Sequence, residues 1–476
     1  MDGPGPTHAV RLKGGGVKEF DAIVIGTGQA GKPLAKGLAA EGLRTAIIEK
    51  GRVGGTCVID GCTPTKTMVA SARVAHMVGR AADFGVDTGM TSVDLETVRE
   101  RKRSIVDSFS SGAQDALEEA EGVELIFGTA RFTADHELEV VAEDGSRSAL
   151  TAPRIFINTG TRTRVPPVKE LSAVPWLDNA SIMELAEVPD HLLVLGGGFI
   201  GLEFGHMFRR FGAQVTIIEG DDQLVGREDA DVADSLRDIL EGEGVTVRLE
   251  SRAVSASHDT QGVVLRVEGP DGDEELRGSH LLVAVGRRPN TDDLGLDNTG
   301  LQLDDNGFVE VDDALRTSVE GVWALGDVNG GPPFTHVAYD DYRIVQENVL
   351  GSGGAHRTDR VLSYTLFTDP QLGRVGLTES QAREEGFDVR VGCIPTARVA
   401  RAKETDETRG LMKVVVDAEA DRILGAAILA PEGGEIAAMI QVAMMGGLAP
   451  AALRDGLFSH PTWSEGLNTL FGSIPD

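Results

Sequence analysis

The chain has 476 residues, 41% hydrophobic and 25% charged, enough for about two to four domains with substantial cores. Its formal charge of −30, from 45 Lys and Arg against 75 Asp and Glu, repels nucleic acid and anionic membranes, and reads as a solubility device or, more sharply, as adaptation to high ionic strength. Three cysteines exclude a secreted disulfide framework and no window approaches the roughly 20 apolar residues of a membrane span, so a cytoplasmic protein without nucleic-acid or membrane partners is expected.

Residues 1–18 lack an apolar run and are expected to form a flexible tail, not a signal peptide. The first ordered element is the strand Asp21–Ile25, which ends in Gly26-Thr27-Gly28-Gln29-Ala30-Gly31 and passes into a helix through Pro33, Leu34 and Leu38. A second strand, Thr45–Ile48, closes with Glu49, 23 residues after Gly26. That is the interval at which an acid meets a ribose hydroxyl. Strand, glycines, helix, strand and acid together point to an adenine dinucleotide.

Two of the three cysteines follow, in Gly54-Gly55-Thr56-Cys57-Val58-Ile59-Asp60-Gly61-Cys62-Thr63-Pro64-Thr65-Lys66. A disulfide needs Cα atoms roughly 4.4–6.8 Å apart, so a bridge at this spacing requires a tight, partly helical turn, for which Gly61 supplies freedom. Cys62-Thr63-Pro64 reads as a helix start continuing through Lys66, Met68 and Ala72, where a thiolate is electrostatically favoured. Redox function fits best; a structural bridge and a half-built zinc site remain open, although no second cysteine pair or HxxxH cluster accompanies the first.

A polar loop over 83–89 leads to an amphipathic helix over about 92–121, with Leu95, Val98, Ile105, Phe109 and Leu117 at three- and four-residue steps. Strands are expected at Val123–Phe127, Leu138–Val141 and Arg154–Ile157, the last ending in Asn158-Thr159-Gly160. The glycine unit then recurs: His191–Leu195, Gly196-Gly197-Gly198-Phe199-Ile200-Gly201, a helix through Leu202, Glu203, Met207 and Phe208, and a strand 214–218 closed by Glu219. Glu219 again lies 23 residues after the first glycine. With Asp221 and Asp222 it would accept a ribose 2′-hydroxyl and repel a 2′-phosphate, favouring NADH over NADPH. The unit ends near Leu281–Asn290, which includes Gly286. Gly321–Asp327 sets an acid beyond a buried strand, where it could hold a ligand hydroxyl.

After the linker Gly351–Gly354, strands (Val361–Phe367, Val389–Pro395, Leu411–Asp417, Ile423–Ala430) alternate with helices (Glu379–Gly386, Glu435–Gly447), an α+β pattern. The apolar strand around Cys393 predicts a buried small hydrophobe. Ser459-His460-Pro461-Thr462-Trp463-Ser464-Glu465 places a histidine five residues before a glutamate.

Two dinucleotide units, a cysteine pair, a Gly-Asp element and a terminal His/Glu element, in this order, resemble the pyridine nucleotide–disulfide oxidoreductases of class I. The resemblance covers nearly everything after residue 18. It implies an α/β fold of two Rossmann-like dinucleotide-binding domains plus a C-terminal α+β dimerisation domain. Its expected divisions are 19–160 and 286–350 for FAD, 161–285 for NAD(P)H and 355–476 for the interface. FAD would be bound by Gly26, Gly28, Gly31, Glu49, Gly55, Thr56, Thr159, Gly160, Gly326 and Asp327, with Asp327 on the ribityl chain. NAD would be bound by Gly196, Gly198, Phe199, Ile200, Gly201, Glu219 and Gly286. Phe199 stands where many members have a tyrosine covering the nicotinamide pocket.

By the same resemblance Cys62 faces the flavin in a charge-transfer complex, Cys57 exchanges with substrate, and Lys66 pairs with Glu203. His460 with Glu465 acts as acid/base from the partner subunit of a homodimer. Gly61–Thr67, Phe334-Thr335-His336, Asp340–Val345 and Trp463–Asn468 look most like the mercuric-reductase-like flavoproteins, including those linked to reactive chlorine resistance and cupric ion reduction. Two departures argue against efficient mercury handling: His460 replaces their tyrosine, and 471–476 holds no cysteine pair.

The expected reaction takes hydride from NADH to FAD, then electrons to the Cys57–Cys62 disulfide, then to a small disulfide or a soft metal ion such as Cu(II) or Hg(II), held transiently by the two thiolates. No structural metal is expected. Dihydrolipoyl dehydrogenase is the alternative enzyme, and a flavin-bearing redox sensor the non-enzyme alternative.

Overall fold

The structure, a computed structural model, describes residues 16–475. Most of the expected tail lies outside the described residues, but its last residue does not stay free: Lys18 pairs with Leu150 in the short strand Lys18–Glu19. The chain sorts into two compact units.

The first unit holds residues 16–62, Ile105–Arg162 and Arg287–Asp359. Its main sheet is parallel, with strands in the order Val322–Ala324, Ile155–Ile157, Ala22–Ile25, Thr45–Glu49 and Val123–Phe127. Alternate residues face opposite ways. Ile23 and Ile25 enter one core with Ile155 and Ile157, while Ala22 and Val24 enter another with Leu34, Leu38 and Ile344. Burial on both faces is why these strands read as unbroken apolar runs. The helices Gly31–Ala40 and Thr335–Leu350 line the second core.

The second unit holds Thr63–Ser104, Thr163–Gly286 and residues 360–475. Its parallel sheet runs Trp176–Leu177, His280–Val283, His191–Leu195, Gln214–Ile218, Thr246–Arg248. An antiparallel sheet follows in the order Ser363–Leu366, Gln371–Gly376, Arg422–Ala430, Leu411–Asp417, Val389–Pro395. The helix Gly433–Met445 packs Ile436, Ala437 and Ile440 into a core with Ala426 and Ile428. This is the expected α/β architecture with an α+β C-terminal part. Among the described residues no helix is long and apolar enough to cross a membrane.

Two packing expectations fail. Cys393 is exposed, because on Val389–Pro395 it is Gly392 and Ile394 that face inward; alternation puts Cys393 on the outer face, opposite Lys413. On the helix Leu95–Glu118, Phe109 is also exposed. The buried line runs through Leu95, Lys102, Val106, Ser110 and Leu117, and Ser110 is drawn in by donating to Val53 O at 2.7 Å.

An ion network ties distant segments of the second unit. Glu243 bonds His206 Nε2 at 2.8 Å, Arg210 at 2.9 Å and Arg409 at 2.7 Å, while Asp369 bridges Arg73 and Arg210. Burial alone would raise Glu243, but the bonds from His206 and Arg210 hold its carboxyl far below the usual range. His76 is lowered to about 4, by burial first and then by Arg210; burial likewise lowers His206. A histidine whose folded pKa is depressed stabilises the protein only while the unfolded chain is also neutral. Stability is therefore lost as pH falls from about 6.5 toward the folded value. The thermal midpoint should drop between about pH 7 and about pH 5, and His76→Gln should shrink that drop. An equal drop in the variant would acquit His76.

Candidate functional site

The first glycine turn is held by close approach. A Cβ on Gly31 would lie 2.2 Å from Gly26 O, and one on Gly26 2.4 Å from Asn158 O. With its amide oxygen toward the turn, Asn158 accepts from Gly28 N–H at 3.2 Å and Gly31 N–H at 3.1 Å, and donates to Leu325 O. Glu49 at the end of the second strand accepts from Thr27 N–H at 3.1 Å, from the Thr27 hydroxyl, and from Gly51 N–H at 2.9 Å. Asp327 accepts from the Thr161 hydroxyl at 3.0 Å, and Gly326 N–H is fixed by buried Asp341 at 2.7 Å.

The cysteines sit on either side of a helix break. Cys57 lies in the short helix Gly55–Ile59, and Cys62 is the first residue of Cys62–Gly79. Gly61 is required for a reason other than the expected freedom: a side chain there would meet Thr56 O at 2.7 Å. Neither sulfur is in a disulfide, and each residue is half-buried. Cys62 Sγ lies 3.0 Å from the hydroxyl of Thr335, the residue that opens the helix Thr335–Leu350. The Cys57 thiol is pushed far above its ordinary value by its hydrogen bond to Cys62, by burial and by the charge of Cys62, against weaker opposition from Thr335 and Lys32. Lys32 donates to Gly54 O at 3.0 Å, fastening the first glycine helix to the start of the cysteine segment. Burial lowers its pKa. Neither Thr335 nor Lys32 stands out as a site residue in the sequence. Lys32 directly follows the glycine motif, and that position is the one local signal it offers.

In the second unit the same turn recurs. A Cβ on Gly201 would lie 2.0 Å from Gly196 O, and Glu219 accepts from Gly197 N–H at 2.6 Å and Asp221 N–H at 3.0 Å. Phe199 and Ile200 are half-buried at the start of the helix Phe199–Phe211. Lys66 donates to Glu203 at 2.6 Å, and the other Glu203 oxygen accepts from Phe367 N–H at 2.9 Å. Glu203 is 8% exposed, so losing Lys66 would leave a charge uncompensated, which costs about 3–5 kcal/mol when burial is complete. His460 Nδ1 lies 2.7 Å from Glu465. With the carboxylate accepting from Nδ1–H, Nε2 is left as a base on a side chain 70% exposed. Among the described residues no cluster of His, Cys, Asp and Glu could hold a resident metal.

A model of the pyridine nucleotide-disulphide oxidoreductases matches residues 20–341, and that of their dimerisation domain matches 362–471. The chain belongs to this family. As an oxidoreductase of this family it is 37% identical over 462 residues to the probable pyridine nucleotide-disulfide oxidoreductase RclA of Escherichia coli, across 96% of this chain and 100% of that one. It is 35% identical to a dihydrolipoyl dehydrogenase of Haloferax volcanii, across 94% of each chain. It is 33% identical to a mercuric reductase of Streptomyces lividans, across 94% of each. In structure it is similar to the Cu(II) complex of the HOCl-induced flavoprotein disulfide reductase RclA from Escherichia coli, with a TM-score of 0.88 over 96% of this chain and 99% of that chain.

Membership implies FAD and a nicotinamide dinucleotide, and the residues fit both. Gly198 faces open space at an ordinary φ of −86°, so neither a protein atom nor its backbone demands a glycine there, whereas a closely approaching ligand would; Gly160 and Gly286 are already set as glycines by φ of +65° and +111°. The Thr159 hydroxyl is buried without a protein partner at the end of the strand Ile155–Ile157. The two classes of glycine should separate on substitution. Gly201→Ala should fail to fold or lose several degrees of thermal midpoint, whereas Gly198→Ala should keep the wild-type midpoint and raise KM for NADH. Equal thermal losses would show that Gly198 also serves packing.

Proposed function

We propose that the protein oxidises NADH and passes electrons, through FAD and the Cys57–Cys62 pair, to a disulfide or a soft metal ion such as Cu(II) or Hg(II). The observation that carries this reading is the dithiol itself: two sulfurs sharing a hydrogen bond, with Cys62 beside the Thr335 hydroxyl at a helix start. FAD would lie on the first glycine turn with Glu49 and Asp327, and NADH on the second with Glu219. One Glu219 oxygen holds Gly197 N–H, and with Asp221 beside it a 2′-phosphate would meet two negative charges, which favours NADH.

Bound flavin supplies the hydride acceptor for the nicotinamide and the electron pair that reduces the disulfide. Reduction breaks the S–S bond with two electrons and one proton, leaving Cys57 as thiol and Cys62 as thiolate. With a disulfide acceptor, His460 removes the Cys57 proton, Cys57 attacks one acceptor sulfur, and the departing thiolate takes the proton from His460. Cys62 then displaces the second thiolate and re-forms the Cys57–Cys62 bond. With Cu(II), Cys57 gives its proton to solvent, the two sulfurs hold the ion, and two Cu(II) ions each take one electron as the disulfide re-forms. Glu465 orients His460 through the 2.7 Å contact, and Glu203 neutralises Lys66.

His460 serves the cysteine pair of a second subunit in a homodimer. The match of residues 362–471 to the dimerisation domain and the exposed Val442, Met445 and Leu457 support that assembly. A second reading, dihydrolipoyl dehydrogenase, is favoured by the intact His460–Glu465 pair. RclA, solved as a Cu(II) complex, directs attention to copper.

NADH oxidation measured across lipoamide, glutathione disulfide, Cu(II) and Hg(II) tests the proposal. Cys57→Ser should abolish every acceptor while leaving reduction of the bound flavin by NADH intact. His460→Ala should slow disulfide reduction about 10²- to 10⁴-fold and spare Cu(II), which needs no protonated leaving group. Preference for lipoamide over Cu(II) would favour the second reading, and equal loss of all acceptors in His460→Ala would remove its acid/base role.

A further inference from the structure

Phe199 opens the helix Phe199–Phe211 immediately after the second glycine turn. Its ring packs on Tyr364, with centroids 5.3 Å apart and planes tilted by 48°, an arrangement in which aromatic rings attract beyond the area they bury. Tyr364 comes from the strand Ser363–Leu366 of the antiparallel sheet. Its hydroxyl donates to Glu228 Oε1 at 2.6 Å. Glu228 is gripped in turn by Arg374, whose Nε donates to Oε2 at 3.1 Å and whose Nη2 bonds the same oxygen. Both side chains are 1% exposed. Burial and then the Glu228 charge push the Tyr364 phenol well above the ordinary tyrosine value, so it remains a donor at neutral pH.

The anchor leads back to the same turn. Glu228 N–H donates to Val225 O at 2.8 Å, and Val225 N–H donates to Gly197 O at 3.0 Å. Val225 makes that connection at φ +44°, a conformation a β-branched residue adopts only where its surroundings enforce it. Tyr364 therefore meets the glycine turn by two routes, ring against ring at Phe199 and through the chain of bonds from Glu228 to Gly197. Phe199 has no polar atom of its own to fix its ring. Tyr364 has one, and that bond ends on a buried ion pair.

We propose that Tyr364 is a positioning residue for the dinucleotide: anchored on Glu228 and Arg374, it holds the Phe199 ring in the arrangement that binds NAD(H). The inference rests on the reading that the Gly196–Gly201 turn binds this nucleotide. Tyr364→Phe keeps the ring and leaves Glu228 paired with Arg374, so only the anchor is lost.

The test is calorimetric titration of NAD⁺ into the oxidised FAD-bound enzyme, as wild type, Tyr364→Phe, Phe199→Leu and the double variant. Tyr364→Phe should weaken NAD⁺ binding about three- to tenfold, the range for one hydrogen bond. KM for NADH should rise by the same factor, with kcat within about twofold. Adding Tyr364→Phe to Phe199→Leu should give no further loss, because the first acts through the second. Unchanged affinity in Tyr364→Phe, or losses that add in the double variant, overturn the inference. A Tyr364→Phe enzyme that unfolds or loses FAD assigns the hydroxyl to the fold and overturns it too. Wild-type enzyme that binds no NAD⁺ overturns the nucleotide reading, and the inference with it.

Discussion

Cys57 and Cys62 share a hydrogen bond only because the helix carrying the first ends before the helix carrying the second begins. An unbroken helix would rotate residue i+5 well away from residue i. The arrangement admits only glycine at 61, since a Cβ there would lie 2.7 Å from Thr56 O. The new helix then starts at a cysteine, the position at which its N-terminal partial charge favours a thiolate, and Lys66 follows one turn later on the same face. The Cys57 thiol, bonded to Cys62 and buried, is raised well above its ordinary value, while the Cys62 sulfur lies 3.0 Å from the Thr335 hydroxyl.

The same economy of close approach shapes both glycine turns. In each, the third glycine lies within about 2 Å, as a hypothetical Cβ, of the carbonyl of the first: 2.2 Å for Gly31 and 2.0 Å for Gly201. In each, the acid 23 residues on closes back on the turn, Glu49 on Thr27 and Glu219 on Gly197. Each acid is thus held against its own glycine turn. What differs is the surrounding support. The first turn leans on the Asn158 amide, whereas the second leans on Val225 and, through Glu228, on a tyrosine from the antiparallel sheet.

Much of this was legible in the sequence wherever the physics is local. The glycine turns, their strands and the helix starting at Cys62 are each set by neighbours within a few residues. The long-range pairs were not legible from spacing: Lys66 and Glu203 lie 137 positions apart, and only family resemblance joins them. Thr335 reaches Cys62 across 273 positions, Asn158 reaches Gly26 across 132 and Tyr364 reaches Glu228 across 136, and spacing announces none of these roles. Cys393 was misjudged because an apolar run in a strand does not say which parity faces the core. Phe109 failed similarly, since buried Lys102 and Ser110 satisfy their polar atoms through partners the helical period cannot reveal. The strand Gln371–Gly376 stayed hidden because Gly373, Arg374 and Gly376 dilute its apolar signal, although fully buried Arg374 is paid for by Glu228.

The central claim is that electrons from NADH reach the Cys57–Cys62 pair. Anaerobic reduction of the FAD-bound oxidised enzyme by one equivalent of NADH, followed by differential alkylation and peptide mass spectrometry, tests it directly. The account predicts that Cys57 and Cys62 pass together from alkylation-resistant to alkylated, with Cys393 labelled alike before and after. Flavin bleaching with no change in labelling at Cys57 and Cys62 would contradict it.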